Sequence, residues 1–445
     1  MKLKPYPEYK DSGVPWLGEI PAHWEMKRVK YLFDERTEKG FPNEPLLAAT
    51  QTKGVVPKTM YKNRTVMAQK DLHLLKLVEP DDFVISLRSF QGGIERAYYR
   101  GIISPAYTVM IPQKEVSPDY FKHLAKSKVF LELLKTCVTG IREGQNIDYS
   151  FLRKAFLPRP VSEEQTQIAR YLDWKTAQIN KFIRNKRRLI GLLKEQKQII
   201  INRAVTRGLD PNIKLKPSGV EWLGDIPEHW ETVKLKHISS MKSGDNLTSY
   251  QIVESGEYPV YGGNGLRGYF NEYNREGKHL LIGRQGALCG NIHSVEGKFW
   301  ATEHAIVASA RGNILIKWYY YILSVMNLNQ YSESAAQPGL SVEKILDLRT
   351  ILPPCDEQDA IAEYIEREVE PLDQAIARAE REIELMTEYR ARLISDVVTG
   401  KVDVRGIDVT QIVDDEFPTA DEETDYEDEL LEEEIPEEGF EDEDE

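Results

Sequence analysis

The chain has 445 residues, 41% hydrophobic and 29% charged, enough for two or more domains with their own cores. Its net charge of −14 misleads when taken whole, because residues 406–445 hold 21 Asp/Glu and no Lys/Arg, which leaves +7 on 1–405. A mildly basic body admits a polyanionic partner, while three widely spaced cysteines, Cys137, Cys289 and Cys355, exclude a disulfide framework and a spaced zinc site.

No apolar run reaches transmembrane length, and the opening MKLKPYPEYK has no apolar signal core, so a cytoplasmic protein with no membrane partner is expected. Residues 12–33 read SGVPWLGEIPAHWEMKRVKYLF, and 218–239 read SGVEWLGDIPEHWETVKLKHIS. Aligned without gaps, 12 of 22 positions agree, two of them tryptophans. A second pair follows, EQTQIARYL at 164–172 and EQDAIAEYI at 357–365, and Val205-Thr206 recurs as Val398-Thr399. The chain is a tandem duplication.

The first repeat is rich in Gly, Pro and Trp. It predicts a turn-laden segment that buries its tryptophans and leads into a strand or short helix over 26–33. The first body follows. DFVISLR at 82–88 and AYTVMIP at 106–112 read as strands, with a polar turn SFQGG at 89–93 between them. Helical periodicity covers 119–136, and REGQN at 142–146 reads as a polar loop.

Residues 163–207 are different in kind. Ile168, Leu172, Ile179, Phe182, Leu189, Leu193 and Ile200 mark a coiled-coil-like seam, interrupted by Lys175, Lys186 and Gln196. Such a helix spans roughly 60 Å. Within 174–207 there are ten Lys/Arg against one acid, Glu195. The stretch RGLDP at 207–211 stops it.

The second body reads as short strands with Gly-rich turns: YPVYGGNGLRGY at 258–269, LLIGRQGA at 280–287 and WATEHAIV at 300–307. A second long helix over 357–399 is marked by Ile365, Val369, Leu372, Ile376, Ala379, Ile383, Met386, Leu393 and Val397, with a kink or restart expected at Pro371. Residues 358–403 hold 12 acids and 6 bases, so the two helices are oppositely charged, as expected of partners. The tail 406–445 reads as a disordered solvating segment, or as a decoy polyanion for the basic body.

No P-loop, H-E-x-x-H or G-x-S-x-G pattern is present, and the glycines of 262–268 are a weak nucleotide signal. His23 and His229, equivalent in the two repeats, read as packing or capping residues. The expected fold class is α+β: two globular α/β bodies in tandem, separated by two long helices forming an antiparallel coiled coil, with pseudo-two-fold symmetry. Two heads on a spacer suit two half-sites on duplex DNA, the helix length fixing their separation. The bodies differ inside, so the half-sites should differ.

The repeated anchor, the L-P…E-Q-x-x-I-A-x-x-L element beginning at Leu157 and at Leu352, and Val398-Thr399-Gly400 resemble the specificity subunit of type I restriction–modification enzymes. The resemblance covers about 1–403. The first copy departs slightly, with Val205-Thr206-Arg207-Gly208, and the acidic tail falls outside the pattern. The resemblance implies target recognition domains at 1–156 and 211–351, conserved long-helix regions at 157–210 and 352–405, and a tail at 406–445. It implies a non-catalytic chain that binds double-stranded DNA, two methyltransferase subunits and two restriction–motor subunits. S-adenosylmethionine, ATP and Mg would be bound by those partners and no cofactor by this chain.

Base edges are read by Arg at guanine and by Asn or Gln at adenine, from loops that enter a groove. Arg88, Ser89, Gln91, Arg142, Gln145 and Asn146 in the first body have that chemistry, as do Asn264, Arg267, Arg284, Gln285 and Asn291 in the second. The plainer alternative is that they are turn residues satisfying backbone groups. Tyr61, Tyr261 and Tyr269 have rings suited to stacking, with core packing the simpler role. Two rivals remain at this level: a protein scaffold on a coiled-coil spacer, and the specificity subunit of a different methylation-based defence system.

Overall fold

The computed structural model describes residues 4–51, 53–60, 71–86, 89–139, 146–286, 288–332 and 339–409. The chain divides into two compact units, Met1–Arg187 with Arg381–Glu445, and Arg188–Glu380. Two helices, α1 (Ser162–Arg207, 46 residues) and α2 (Cys355–Val398, 44 residues), each continue from one unit into the other.

In the first unit the repeated anchor becomes a joint. Glu25–Arg28 forms a strand antiparallel to Phe156–Arg159, with Glu25 opposite Arg159, so the start of the body is tied to the strand that leads into α1. A one-turn helix, Val29–Leu32, follows, and then β1 (Phe33–Arg36), so the predicted strand-or-helix is both in succession. Trp24 is fully buried, and its core includes Leu32, Phe33, Leu172, Val397 and Val398. Strands β2 (Phe83–Ile85), β3 (Glu95–Arg96) and β4 (Thr108–Pro112) complete an antiparallel sheet in the order β1-β4-β2-β3.

The helix expected over 119–136 is two helices, Pro118–Lys126 and Lys128–Thr136. Ser127 divides them because it serves both. Its hydroxyl donates to the Leu124 carbonyl at 2.7 Å and accepts from the Phe130 N–H at 3.3 Å, a C-terminal and an N-terminal cap in one side chain.

The second unit repeats the joint. Glu231–Lys234 pairs with Arg349–Leu352, the strand preceding α2, and Trp230 is fully buried. Its sheet has six strands: β5 (Ser239–Ser243), β6 (Tyr258–Gly262), β7 (Gly265–Phe270), β8 (Arg275–Gly283), β9 (Ile292–Ala301) and β10 (Ala305–Ala310). The order is β5-β10-β8-β9-β6-β7, antiparallel except for β6 beside β9. The stretch read as one strand over 300–307 is two strands separated by a turn, Thr302 to His304.

The long helices pair antiparallel. In the first unit Arg390 Nη1 donates to Asn180 Oδ1, and Lys186 meets Glu382 at 2.6 Å. In the second unit Lys197 meets Asp373 at 2.7 Å. These bridges join the basic helix to the acidic one, as the charge pattern anticipated. Each is half-exposed and worth at most about 1 kcal/mol, so apolar contact does most of the holding. The expected α1 seam is corrected in its middle. Ile168, Leu172 and Ile179 are buried, but Phe182 and Leu189 are 36% and 40% exposed, and Ile183 and Ile190 are buried instead. The buried residues Ile168, Leu172, Ile179, Ile183 and Ile190 step by four and seven, an 11-residue repeat of about 3.67 residues per turn where a heptad spacing was expected. Helix α2 runs through Pro371 with no restart.

Candidate nucleic-acid interface

The five candidates of the second body come together at one end of its sheet. Asn264 is exposed in the tight turn between β6 and β7, and Arg267 is exposed on β7 close by. The Arg267 stem crosses Gly262, where a Cβ would sit 2.6 Å from the arginine Cδ, so only glycine allows that path. Gly263 lies against the next two segments: a Cβ there would be 2.9 Å from the His304 carbonyl and 3.7 Å from the Arg284 nitrogen.

Arg284 follows β8 and its backbone is pinned. Its N–H donates to the His304 carbonyl at 2.9 Å, and its carbonyl accepts from the Leu340 N–H at 2.9 Å and from the Cys289 thiol at 3.3 Å. The half-buried guanidinium has no partner among the described residues. Gln285 is exposed and bonds the ring Nδ1 of His304 through Oε1 at 3.0 Å. Asn291 is exposed at the head of β9, its carbonyl accepting from Gly283 N–H at 2.9 Å. A rigid backbone thus presents an amide, two guanidinium groups and two more amides on adjacent turns, the donor and acceptor set that reads base edges.

His304 belongs to this group and sequence reasoning missed it. Its ring is 44% exposed, with Nε2 3.3 Å from Glu303 Oε1 and Nδ1 at Gln285. It was hidden inside an apparent strand. The signal was Thr302-Glu303-His304, three polar residues in a row where strand alternation should have continued. His293, by contrast, faces inward: its Nε2 is buried without a partner among the described residues, and burial lowers its pKa.

The first body is less complete. Arg88, Arg142 and Gln145, and Tyr61 with them, lie outside the described residues. The polar turn expected at 89–93 is a one-turn helix, Ser89–Gly92. Ser89 is corrected: it is buried, and its hydroxyl accepts from the Ser86 N–H at 2.8 Å, so it closes the turn instead of facing a groove. Gln91 is exposed on that helix. Asn146 is in a strand, Asn146–Ile147 paired with Val138–Thr139, and not in a loop. Tyr261 packs edge-on against Phe299, the core role expected of it, and Tyr269 is half-buried in β7.

The repeated residues have a separate role. His23 Nε2 meets Glu164 at 2.8 Å, and the Tyr6 hydroxyl donates to the other oxygen at 2.6 Å. His229 and Trp230 do the same with Glu357. The next residue, Gln165 or Gln358, uses its amide to hold loops of its own unit: Gln165 Oε1 accepts from Ser117 N–H, and Gln358 Oε1 from Leu315 N–H. The E-Q pair fixes a body on a helix start and leaves the turns at the sheet end free to differ.

Residues 227–385 match the family model of the type I restriction modification DNA specificity domain. The type I restriction enzyme EcoprrI specificity subunit of Escherichia coli is 45% identical over 137 residues. That match spans 30% of this chain and 34% of the E. coli relative. The MjaVIII specificity subunit of Methanocaldococcus jannaschii is 23% identical over 431 residues, covering 89% of this chain and 94% of that one. A solved structure concerning complex assembly and conformational transition of the type I R-M system aligns with a TM-score of 0.61 at 14% identity, over 85% of this chain and 98% of that chain. At that identity the likeness is one of fold. Among the described residues no helix is long and apolar enough to cross a membrane, and no group of three or more metal-ligating side chains forms.

Proposed function

We propose that this chain is the DNA sequence-specificity subunit of a type I restriction–modification complex. Each body reads one half of a bipartite asymmetric site, and the paired helices set the spacer and dock two methyltransferase subunits. Two restriction–motor subunits complete the assembly, in the cytoplasm. The chain supplies recognition and no catalysis; S-adenosylmethionine, ATP and Mg act in its partners, and methylation of a base within a duplex implies flipping by the methyltransferase. The observation that carries this reading is the gathering of Asn264, Arg267, Arg284, Gln285 and Asn291 on pinned turns at one sheet end, in a chain that matches the specificity-domain model over residues 227–385.

The test is binding of the full chain to a duplex library at several salt concentrations. A DNA reader neutralises phosphates and loses affinity steeply with salt. Arg284→Ala should relax recognition at one half-site, at a cost of about 1–3 kcal/mol for a lost bidentate base contact, and leave the other half-site as it was. Equal weakening on all sequences assigns Arg284 to the phosphate backbone. Binding that is flat in salt and indifferent to sequence returns the chain to the scaffold reading.

A further inference from the structure

The duplicated joint has a different surface in each unit. In the second unit Lys234 and Lys236 both meet Asp347, at 2.6 Å and 3.2 Å. Lys234 lies opposite Arg349 across the strands, and Asp347 stands two residues before Arg349. In the first unit the same repeat positions hold Arg28 and Lys30. Arg28 lies opposite Phe156, and the residue two before Phe156 is Lys154. A third cation thus replaces the acid that neutralises the first two.

Three rings accompany these cations. Tyr31, Phe151 and Phe156 are 63%, 55% and 36% exposed. Lys30 lies 4.7 Å from the centre of the Tyr31 ring, Arg28 5.0 Å from that of Phe156 and Lys154 5.5 Å from that of Phe151. A ring face attracts a cation without neutralising it. Among the described residues Arg28, Lys30 and Lys154 have no carboxylate within ion-pair distance. Asp148, which acts on Lys154 only through space, caps the Tyr149–Leu152 helix, its Oδ1 accepting from the Ser150 N–H at 2.8 Å. Exposed rings interleaved with uncompensated cations suit a ligand of carboxylates interleaved with apolar side chains.

The chain itself contains such a segment. Residues 410–445 have no Lys or Arg. Within them Leu430, Leu431 and Ile435 are bordered by acids on both sides, whereas Ile412, Val413 and Phe417 have acids before Phe417 and none before Ile412. Val409 is buried in the core that also holds Val29, Leu32, Leu152 and Leu157, the inward neighbours of the surface residues. The tail therefore leaves the unit that carries the surface. Residues 410–426 reach roughly 55 Å when extended, against about 30 Å for the diameter of a small domain.

We propose that residues 427–435, EDELLEEEI, dock on this surface, with carboxylates on Arg28, Lys30 and Lys154 and the apolar side chains on the three rings. The tail supplies to the first joint the acid that Asp347 supplies to the second. The inference is independent of the DNA-reading role.

Carbodiimide coupling, which joins a lysine amine to a carboxylate in contact with it, tests this on the full chain, with peptide mass spectrometry as the readout. Lys30 and Lys154 should couple to carboxylates of 427–434 well above the yield at Lys114, an exposed lysine of the same unit. Leu430→Ser together with Leu431→Ser leaves every charge in place and should lower both yields to the Lys114 level. Lys154→Asp gives the first joint the acid of the second and should do the same at Lys30. Yields at Lys30 and Lys154 that match Lys114 from the start, or that ignore the leucine changes, overturn the docking. Coupling between chains and not within one, read from mixed isotope-labelled and unlabelled protein, assigns the surface to a second copy and overturns it as well. Background yields with both lysines protected from acetylation by added duplex give the surface to DNA and overturn the tail assignment.

Discussion

His229 and Glu357 meet at 2.5 Å across 128 residues, and the second oxygen of that carboxylate accepts the Trp230 indole N–H at 2.8 Å. In the first unit Glu164 holds His23 in the same way, but Tyr6 takes the second oxygen. The Trp24 indole N–H is left buried without a partner among the described residues. One duplicated joint is therefore wired in two ways.

Glu357→Ala removes the acceptor of a buried indole and should cost about 1–3 kcal/mol of stability. Tyr6→Phe removes one hydrogen bond and should cost about 0.5–1.5 kcal/mol. Urea unfolding followed by tryptophan fluorescence measures both. Unchanged stability of Glu357→Ala contradicts the joint.

Gly400 and Gly208 close α2 and α1 with φ of +78° and +71°. Both positions favour glycine, but their surroundings differ. A Cβ at Gly400 would overlap the Pro21 ring and lie 3.1 Å from Trp24, whereas at Gly208 the nearest atom is 3.3 Å away, on Trp230. Gly208→Ala should cost about 1–2 kcal/mol from the backbone conformation, and Gly400→Ala clearly more. Equal losses in thermal unfolding would show that packing at Pro21 adapts.

Burial pushes the Glu95 carboxyl up from 4.5 to about 7, and Lys126 offsets only part of that rise. Between those values the folded chain holds a proton that the unfolded chain has released, so stability falls as pH rises through the window. The slope is at most about 1.4 kcal/mol per pH unit. Glu95→Gln cannot ionise, and its stability relative to wild type should improve from pH 5 to pH 8. A difference that stays constant across that range counts against the assignment.

Matched insertions of whole turns into α1 and α2 should change the tolerated spacer between half-sites and not the half-sites themselves. Methylation-sensitive sequencing of DNA from cells carrying the variant reads both at once. A changed half-site sequence denies the helices their role as a ruler.

Residues after α2 are not all tail. Gln167 Nε2 donates to the carbonyls of Val404 and Ile407, and Val409 is buried in the first core. A truncation meant to test the acidic segment should therefore end at Val409. It should tighten DNA binding at low salt if residues 410–445 act as a decoy, and change nothing if they only solvate.

The sequence by itself determined the duplication, the two bodies, the two long helices and their opposite charges, because repeats, periodicity and composition are local properties of the chain. It also placed Asn264, Arg267, Arg284, Gln285 and Asn291 in the second body, though with no means of bringing them to one end of a sheet. The tertiary structure decided that gathering, through β6 lying parallel beside β9 as well as beside its sequence neighbour β7. It also decided that Ser89 closes a turn, that Ile183 and Ile190 replace Phe182 and Leu189 in the seam, and that His304 joins the polar turns at that end of the sheet. The physical reason is common to all three. A side chain's chemistry is written in its identity, but which way it faces depends on contacts with residues far away in the chain.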